Sequence, residues 1–235
     1  MIEIKGLSKS FGSGKNRKDI FQNIFLSIKK NEAIALVGES GCGKSTFAKS
    51  ITGIIPFDNG DIIINERSVS NLSNKDRKIL MVKTFQYIFQ NPEESLHPLK
   101  KIKTIFKESH KSYQKLTGDK NDIDFSELLK MVNMSAHDLN KYPKDFSGGE
   151  CQRIAIARAF ITKPFLLIAD EPISSSDILT QATLINLFKK LKNRGSALFF
   201  ITHNIEVAKY IADRILIMKD NNIYDYQTET EIIKK

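Results

Sequence analysis

The segment GESGCGKST at residues 38–46 brings together residue types that bind phosphate groups. Its three glycines allow successive backbone N–H groups to turn inward around an anion. Lys44 can reach the terminal phosphates of a nucleotide, and the Ser45 hydroxyl is a ligand for Mg²⁺. This pattern is specific when it lies between a strand and a helix, and here the apolar run AIALV precedes it while a helical pattern begins near Lys44. The sequence therefore predicts a phosphate site that comprises Gly38, Glu39, Ser40, Gly41, Cys42, Gly43, Lys44, Ser45 and Thr46.

Two carboxylates, Asp170 and Glu171, follow the apolar run LLIA. Because ligands of a parallel sheet bind at the carboxyl ends of its strands, Asp170 is predicted to lie near the phosphates, where it can hold Mg²⁺ through water. Glu171 can polarise an attacking water, an effect worth roughly 10² to 10⁴ in rate. An Asp-Glu pair at a strand end is by itself more often a loop cap. In the company of the phosphate segment, the pair predicts catalysis.

The segment FSGGECQR at residues 146–153 places two glycines at the start of a helical pattern, although each glycine costs roughly 1 kcal/mol against alanine inside a helix. Ser147 and Glu150 match the S-x-x-E capping box, an ordinary way to begin a helix. A cap does not require Gly148 and Gly149. Their presence predicts that another group approaches this backbone closely, as small residues and a helix N-terminus allow.

Taken together, these segments resemble the ATP-binding cassette family, the ATPase subunits of ABC transporters. The resemblance implies ATP and Mg²⁺ as cofactors. It also implies a dimer in which Ser147, Gly148, Gly149 and Glu150 of one protomer lie against the γ-phosphate held by the other protomer. Phe146 and Glu150 stand where the family usually has leucine and glutamine. A carboxylate at Glu150 is expected to slow hydrolysis unless its capping role turns it toward its own helix.

Further residues match the family's pattern. Gln90 follows the run FQYIF and resembles the glutamine that senses Mg²⁺ and moves the helical lobe, with Gln86 inside the strand as the alternative. His203 follows FFIT and resembles the switch histidine that contacts the γ-phosphate, whereas a satisfied strand-end histidine is the ordinary interpretation. Phe11 resembles the aromatic residue that stacks on adenine, with a core phenylalanine as the alternative. The segment SSSD at residues 174–177 resembles the loop that connects the two sites, with Ser176 where leucine is usual.

The segment FQNPEESLHPL at residues 89–99 resembles that of the dipeptide, oligopeptide and nickel import subfamily through the spacing of Ser95, Leu96 and Pro98. The resemblance implies import through transmembrane permease subunits, a second ATP-binding subunit that is identical or different, and an extracytoplasmic solute-binding protein as an indirect partner. An export or lipoprotein-release ATPase is one alternative. A soluble cassette acting on nucleic acid or ribosomes is the other, and we expect no nucleic-acid partner.

The elements that must position these residues form an α/β pattern. Alternating apolar residues predict two antiparallel strands at the start of the chain, and short apolar runs predict buried strands of a parallel sheet. These runs lie at residues 33–37, 85–89, 165–170, 197–202 and 214–218. We therefore expect a RecA-like P-loop NTPase core with an N-terminal antiparallel β subdomain and an inserted α-helical subdomain.

We expect a single domain over residues 1–235, since no composition shift divides the chain. Its core ATP-binding lobe is predicted to comprise residues 1–90 and 161–235. Residues 91–160 are predicted to form a helical lobe that is almost all helix. The segment MKDNNIYDY predicts a strand, a tight turn and a strand, and a short polar helix is expected to close the chain.

Charge and hydropathy limit where the protein works. The net charge is +9 with a pI near 9.4, which allows nucleic acid, an anionic membrane surface or phosphate ligands as partners. Residues 100–120 contain seven lysines and two acids, and a solvated helix face is the ordinary interpretation of this segment. The apolar runs fall short of the roughly 20 residues that span a bilayer, and no secretion signal is recognisable. We expect a cytoplasmic protein, peripheral on the inner face of the cell membrane, with Cys42 and Cys151 as free thiols.

Overall fold

The computed structural model describes residues 1–91, 93–172 and 178–226. Its strands, in chain order, are β1 (Ile2–Phe11), β2 (Lys18–Ile28), β3 (Ala33–Val37), β4 (Asn59–Ile64), β5 (Arg67–Ser68), β6 (Phe85–Ile88), β7 (Leu166–Asp170), β8 (Ala197–Thr202), β9 (Arg214–Lys219) and β10 (Asn222–Asp225). Its α-helices are α1 (Lys44–Ile51), α2 (Asn74–Thr84), α3 (Ile102–Thr117), α4 (Phe125–Met131), α5 (Gly148–Ala159), α6 (Ile178–Asn193) and α7 (Ile205–Ile211).

The strands form two sheets. A four-stranded antiparallel sheet has the order β2-β1-β4-β5, and a six-stranded sheet has the order β10-β9-β3-β8-β7-β6. In the larger sheet every pairing is parallel except that of β10 with β9. The carboxyl ends of β3, β6, β7 and β8 therefore meet at one edge. The predicted antiparallel start and parallel core are both present, and so is the tight turn between β9 and β10.

Two apolar cores cover the two faces of the larger sheet. On β3, Ala33 and Ala35 belong to a core shared with α3, α5 and α6, whereas Ile34 and Leu36 belong to a second core shared with α1 and the antiparallel sheet. Successive side chains of a strand point to opposite faces, so both faces of β3 must be apolar. This burial explains why the sequence of β3 shows an unbroken apolar run instead of alternation.

The interval between β6 and β7 contains less regular helix than predicted. It holds α3, α4 and α5, and these are joined by loops and short 3₁₀ turns such as Ala136–Asn140 and Pro143–Asp145. The expectation that residues 91–160 are almost all helical was therefore too broad. The closing polar helix was predicted within residues 227–235, which lie outside the described part of the chain. No helix in the described residues is long and apolar enough to cross a membrane.

The end of β1 is fixed by a carboxylate from the loop before β4. Asp58 accepts hydrogen bonds from Lys9 Nζ at 2.8 Å and from the Ser10 N–H and hydroxyl at 2.7 Å each. The hydrogen bond from Lys9, followed by those from Ser10, lowers the pKa of Asp58 to about 2. The carboxylate is therefore ionised at neutral pH. It holds the strand end that presents Phe11.

Candidate functional site

The phosphate segment forms a turn that only glycine fits at two positions. At Gly43 the backbone φ is +111°, and a Cβ atom would lie 2.5 Å from Ile20 Cγ2 and 2.9 Å from Met218 Cε. At Gly38 a Cβ atom would lie 2.6 Å from the Met218 carbonyl oxygen. The turn is thus pressed between β2 and β9. This close packing restricts the backbone of the turn.

Lys44 is held in place by this turn. Its side chain is only 5% exposed, and Nζ donates to the carbonyl oxygens of Gly38 at 2.8 Å and Glu39 at 2.7 Å. In the described residues no carboxylate forms an ion pair with Lys44. A buried ammonium with only neutral acceptors is poised to gain an anionic partner, because its charge is not otherwise compensated.

The N-terminus of α1 is open. Gly43 occupies the N-cap position and provides no side-chain acceptor, and the first turn of α1 contains no acidic residue. The first N–H groups of a helix have no intrahelical partners, and the helix dipole adds positive potential there. Together with Lys44, this end of α1 can bind a phosphate group.

Asp170 lies beside α1, as predicted from its place at the end of β7. Its Oδ1 accepts a hydrogen bond from Ser45 Oγ at 3.0 Å, and its Oδ2 accepts one from Tyr87 Oη at 2.6 Å. Burial and the neighbouring carboxylate raise the pKa of Tyr87 well above its ordinary value, so Tyr87 remains a donor. The donor set of Ser45 hydroxyl and Asp170 carboxylate fits Mg²⁺, a hard cation that combines few protein oxygens with water and phosphate.

Glu171 adopts a strained backbone conformation. Its φ is +46°, in the left-handed region that costs a non-glycine residue about 1–2 kcal/mol. The Glu171 N–H donates to the Ile201 carbonyl oxygen at 3.0 Å, which ties the end of β7 to β8. Strain of this kind persists where the surrounding structure enforces it, and it occurs preferentially at functional sites.

Glu171 stands between the two other predicted residues at this sheet edge. Its Oε2 lies 3.5 Å from His203 Nδ1 and accepts a hydrogen bond of 3.4 Å from Gln90 Nε2. Glu171 is partly buried, whereas Gln90 and His203 are largely open to solvent. The ends of β6, β7 and β8 thus bring a carboxylate, an amide and an imidazole to one point. This arrangement can orient a water molecule and accept its proton.

The helix α5 begins with the capping box that its sequence predicts. Ser147 Oγ accepts from the Glu150 N–H at 3.4 Å, and Glu150 Oε2 accepts from the Ser147 N–H at 2.9 Å and the Ser147 hydroxyl at 3.0 Å. The backbone hydrogen bond from Ser147 lowers the pKa of Glu150, although burial opposes it. Glu150 therefore turns toward its own helix. Gly148 and Gly149 form the first two residues of α5.

Phe11 lies at the end of β1 with 47% of its surface exposed, and Lys9 Nζ lies 5.2 Å from its ring centroid. The alternative of a core phenylalanine does not agree with this position. Gln86, the alternative to Gln90, donates to the Val82 carbonyl oxygen at 3.4 Å. The predicted connecting loop at residues 174–177 lies outside the described residues.

Three residues near the site were not predicted from the sequence. Tyr87 binds Asp170, Gln152 Nε2 donates to the Pro172 carbonyl oxygen just after Glu171, and Arg158 donates to the Ser95 carbonyl oxygen at 2.5 Å and to Ser95 Oγ at 3.2 Å. A tyrosine inside a buried strand requires a partner for its hydroxyl, so Tyr87 carried a recognisable signal. Gln152 and Arg158 carried none, because their partners are distant in sequence.

We predict that Gly43→Ala destabilises the protein by about 2–5 kcal/mol, because the new methyl group meets Ile20 and Met218 in a backbone conformation that already disfavours alanine. Gly41→Ala is the matched control. Gly41 also has positive φ, +78°, but a Cβ atom there meets nothing within 4 Å, so only about 1–2 kcal/mol is expected. Urea unfolding without nucleotide measures both. Equal losses in the two variants would contradict the close packing of this turn.

Comparison with known proteins agrees with this arrangement. The profile of the family described as "ABC transporter" matches residues 21–174. The oligopeptide transport ATP-binding protein OppF of Streptococcus mutans is 37% identical over 236 residues, covering 99% of this chain and 76% of that protein. The oligopeptide transport ATP-binding protein AmiF of Streptococcus pneumoniae is 35% identical over 235 residues, covering 98% of this chain and 75% of that protein.

A solved structure has the same fold. It is the dimeric structure of a post-hydrolysis state of the ATP-binding cassette MJ0796 bound to ADP and Pi, which superposes with a TM-score of 0.79 at 26% identity. The match covers 95% of this chain and 96% of that chain. The predicted fold class, a parallel-sheet core with an N-terminal antiparallel sheet and inserted helices, is confirmed.

Proposed function

The chain belongs to the ABC transporter family as an ATP-binding, ATP-hydrolysing subunit, and we propose that it powers the import of oligopeptides through separate transmembrane permease subunits. The names of its relatives OppF and AmiF support peptide as the cargo and give no support to nickel. The resemblance of residues 89–99 to the dipeptide, oligopeptide and nickel import subfamily supports import over export or lipoprotein release. In this role the protein lies on the cytoplasmic face of the membrane, bound to the permease.

One observation supports the proposed chemistry most strongly: the carboxyl ends of β3, β6, β7 and β8 lie together around Lys44 and Glu171. In the proposal, Lys44 and the open end of α1 bind the β- and γ-phosphates of ATP, and Phe11 stacks on the adenine. Ser45 would hold Mg²⁺ directly, with Asp170 acting through water and Gln90 nearby, and the ion would neutralise charge on the phosphates. Glu171 takes a proton from the attacking water, and His203 contacts the γ-phosphate. The contacts of Glu171 with Gln90 and His203 support these assignments.

A second cassette completes each ATP site in this proposal. Ser147, Gly148 and Gly149 of one subunit approach the γ-phosphate bound by the other, and the absence of side chains at the glycines permits a short approach. The dimeric state of the solved relative supports this assembly. Glu150 is held by its own helix start, so its carboxylate is directed into the capping box. The partner is a second copy or a different ATP-binding subunit.

A groove beside the site is suited to the permease. It has a volume of about 540 Å³, and its outer part is lined by Lys49, Phe89, Gln90 and Arg158. Its inner end reaches Ser45 and Asp170, so the groove is continuous with the site. Phe89 is 43% exposed and presents an apolar ring to this groove. We propose that a cytoplasmic helix of the permease packs on Phe89. Gln90 would then couple the groove to the site, because it also binds Glu171.

Affinity purification from detergent-solubilised native membranes tests this proposal. We expect the tagged protein to co-elute with two transmembrane subunits, and the reconstituted complex to take up peptide only with ATP. Phe89→Ala should lose the co-elution, whereas Tyr210→Ala should keep it, since Tyr210 is also exposed but lies on α7 outside the groove. Co-elution of ribosomes or nucleic acid in place of membrane proteins would contradict the transport role.

A further inference from the structure

The helix α3 carries a row of lysines that the proposed chemistry does not use. Lys103, Lys107, Lys111 and Lys115, here called the α3 lysine stripe, recur every four residues, and all four are exposed. With 3.6 residues per turn, this spacing places them on one side of a helix about 24 Å long. The opposite side is anchored in the core through Ile102, Ile105 and Phe106. The orientation of the stripe toward solvent is therefore fixed by packing.

The stripe is not neutralised within the described residues. Glu108 is the one acid in the sequence of α3, and it pairs with Lys100 at 2.7 Å and not with a stripe lysine. None of the four stripe lysines forms an ion pair in the residues that the structure describes. Like charges four residues apart on a helix repel each other and destabilise it. An external anion would remove this cost.

The start of α3 adds to the positive potential. Lys101 occupies the N-cap without a side-chain hydrogen bond, and the first turn contains Lys103 but no acidic residue. Cations are unfavourable at the positive end of the helix dipole. Leu99, two residues before Lys101 in the chain, is 80% exposed and presents an apolar side chain to solvent.

The side-chain chemistry favours a lipid surface over nucleic acid. Residues 99–120 contain no arginine, and their aromatic residues, Phe106 and Tyr113, are buried and half-buried. Arginine forks and exposed aromatic rings are the groups that read and stack on nucleic acids, whereas lysine acts as a point charge. Point charges spread over about 18 Å of helix suit a fluid, negatively charged surface. Leu99 suits the apolar layer below its headgroups.

We propose that the α3 lysine stripe, together with the exposed Leu99 just before α3 in the chain, binds the anionic phospholipid headgroups of the membrane on which the transporter works. Each lysine near an anionic surface adds to the attraction, which falls off within a Debye length. This inference rests on the proposed function, which places the protein at the membrane. The protein would then contact lipid directly, in addition to its contact with a permease.

Co-sedimentation of the whole protein with vesicles tests the stripe without any permease. The probes are vesicles of phosphatidylcholine alone and vesicles with one third phosphatidylglycerol. We expect binding to the anionic vesicles only, with release when salt shortens the screening length from about 10 Å to about 3 Å. Changing all four stripe lysines to glutamine should weaken binding by about 10²- to 10³-fold. ATP hydrolysis by this variant should be unchanged.

The matched control changes four exposed lysines elsewhere, Lys29, Lys30, Lys75 and Lys78, to glutamine, so that the total charge is the same in both variants. This control should keep most of the vesicle binding. Equal losses in the two variants would show a general charge effect and overturn the proposal, as would equal binding to both vesicle types. Binding of a duplex oligonucleotide that depends on the stripe, without vesicle binding, would also overturn it. Each of these failures would leave the proposed transport function standing, because peptide uptake is measured separately.

Discussion

Replacing Glu171 with glutamine is expected to lower ATP hydrolysis by at least about 100-fold while ATP binding is retained. Glutamine keeps the size of the side chain and its contacts with Gln90 and His203, but it cannot accept a proton from water. The Glu171 backbone, with φ of +46°, is held by the hydrogen bond to Ile201 and is not expected to change. Because the γ-phosphate then persists, the ATP-bound dimer should accumulate. Phosphate release and size-exclusion chromatography with Mg-ATP measure the two effects.

Glu206→Gln is the control for this prediction. Glu206 lies on α7, is highly exposed, and pairs with Lys209 at 2.9 Å instead of with the site residues. Its replacement makes the same chemical change three residues from His203 and should leave hydrolysis unaltered. The assignment of Glu171 would be wrong if Glu171→Gln kept more than about a tenth of the wild-type rate. A purely monomeric elution at saturating ATP would contradict the ATP-bridged dimer of this chain.

The sequence predicts the parallel core well because its strands are buried on both faces. The apolar runs of β3, β7 and β8 have no polar interruption, and the structure places alternate residues of each in the two cores. The strands β4 and β5 were not predicted. Their turn uses Asn65 and Glu66 in left-handed conformations, φ +47° and +67°, and Asn-Glu is a weaker turn signal than Asn-Gly.

The helix α2 was also missed, because only Met81 and Thr84 are buried among its residues and the helical periodicity is correspondingly faint. Helices with little buried surface depend on local capping, here by Ser73, whose side chain accepts from the Asp76 N–H at 3.1 Å. A capping serine is recognised in a sequence only when a helix has already been predicted to follow it.

Motifs in the sequence indicate the residues of the candidate site, but they do not indicate the contacts between those residues. Motif spacing pointed to Lys44, Asp170, Glu171 and His203 individually. That Glu171 lies within reach of both Gln90 and His203 depends on the strand order β8-β7-β6, which brings three distant segments together. The strained backbone at Glu171 is likewise a property of the assembled sheet. Local sequence preference would have assigned it an ordinary conformation.

Replacing Lys44 with alanine is expected to weaken ATP binding by at least about 100-fold, since hydrogen bonds from a charged group are worth about 1.5–3 kcal/mol each and Lys44 is proposed to contact two phosphates. In the structure the ammonium donates to the Gly38 and Glu39 carbonyl oxygens, at 2.8 and 2.7 Å. The side chain is therefore already ordered near the phosphate turn, so little conformational entropy is lost when ATP binds. Isothermal titration calorimetry with Mg-ATP measures the change.

Lys49→Ala is the control for this prediction, because it removes the same charge from a different position on α1. Lys49 is another lysine of α1, but it lies in the last turn of the helix, whereas the phosphate turn precedes the first turn, so its removal should leave the ATP affinity of the isolated chain unchanged. Loss of the Lys44 ammonium also frees two carbonyl oxygens in the turn, and thermal unfolding of both variants shows whether the fold is retained. A variant without Lys44 that stays folded and binds ATP with wild-type affinity would refute the phosphate site. In that case the uncompensated buried charge of Lys44 would require a different anion as its partner.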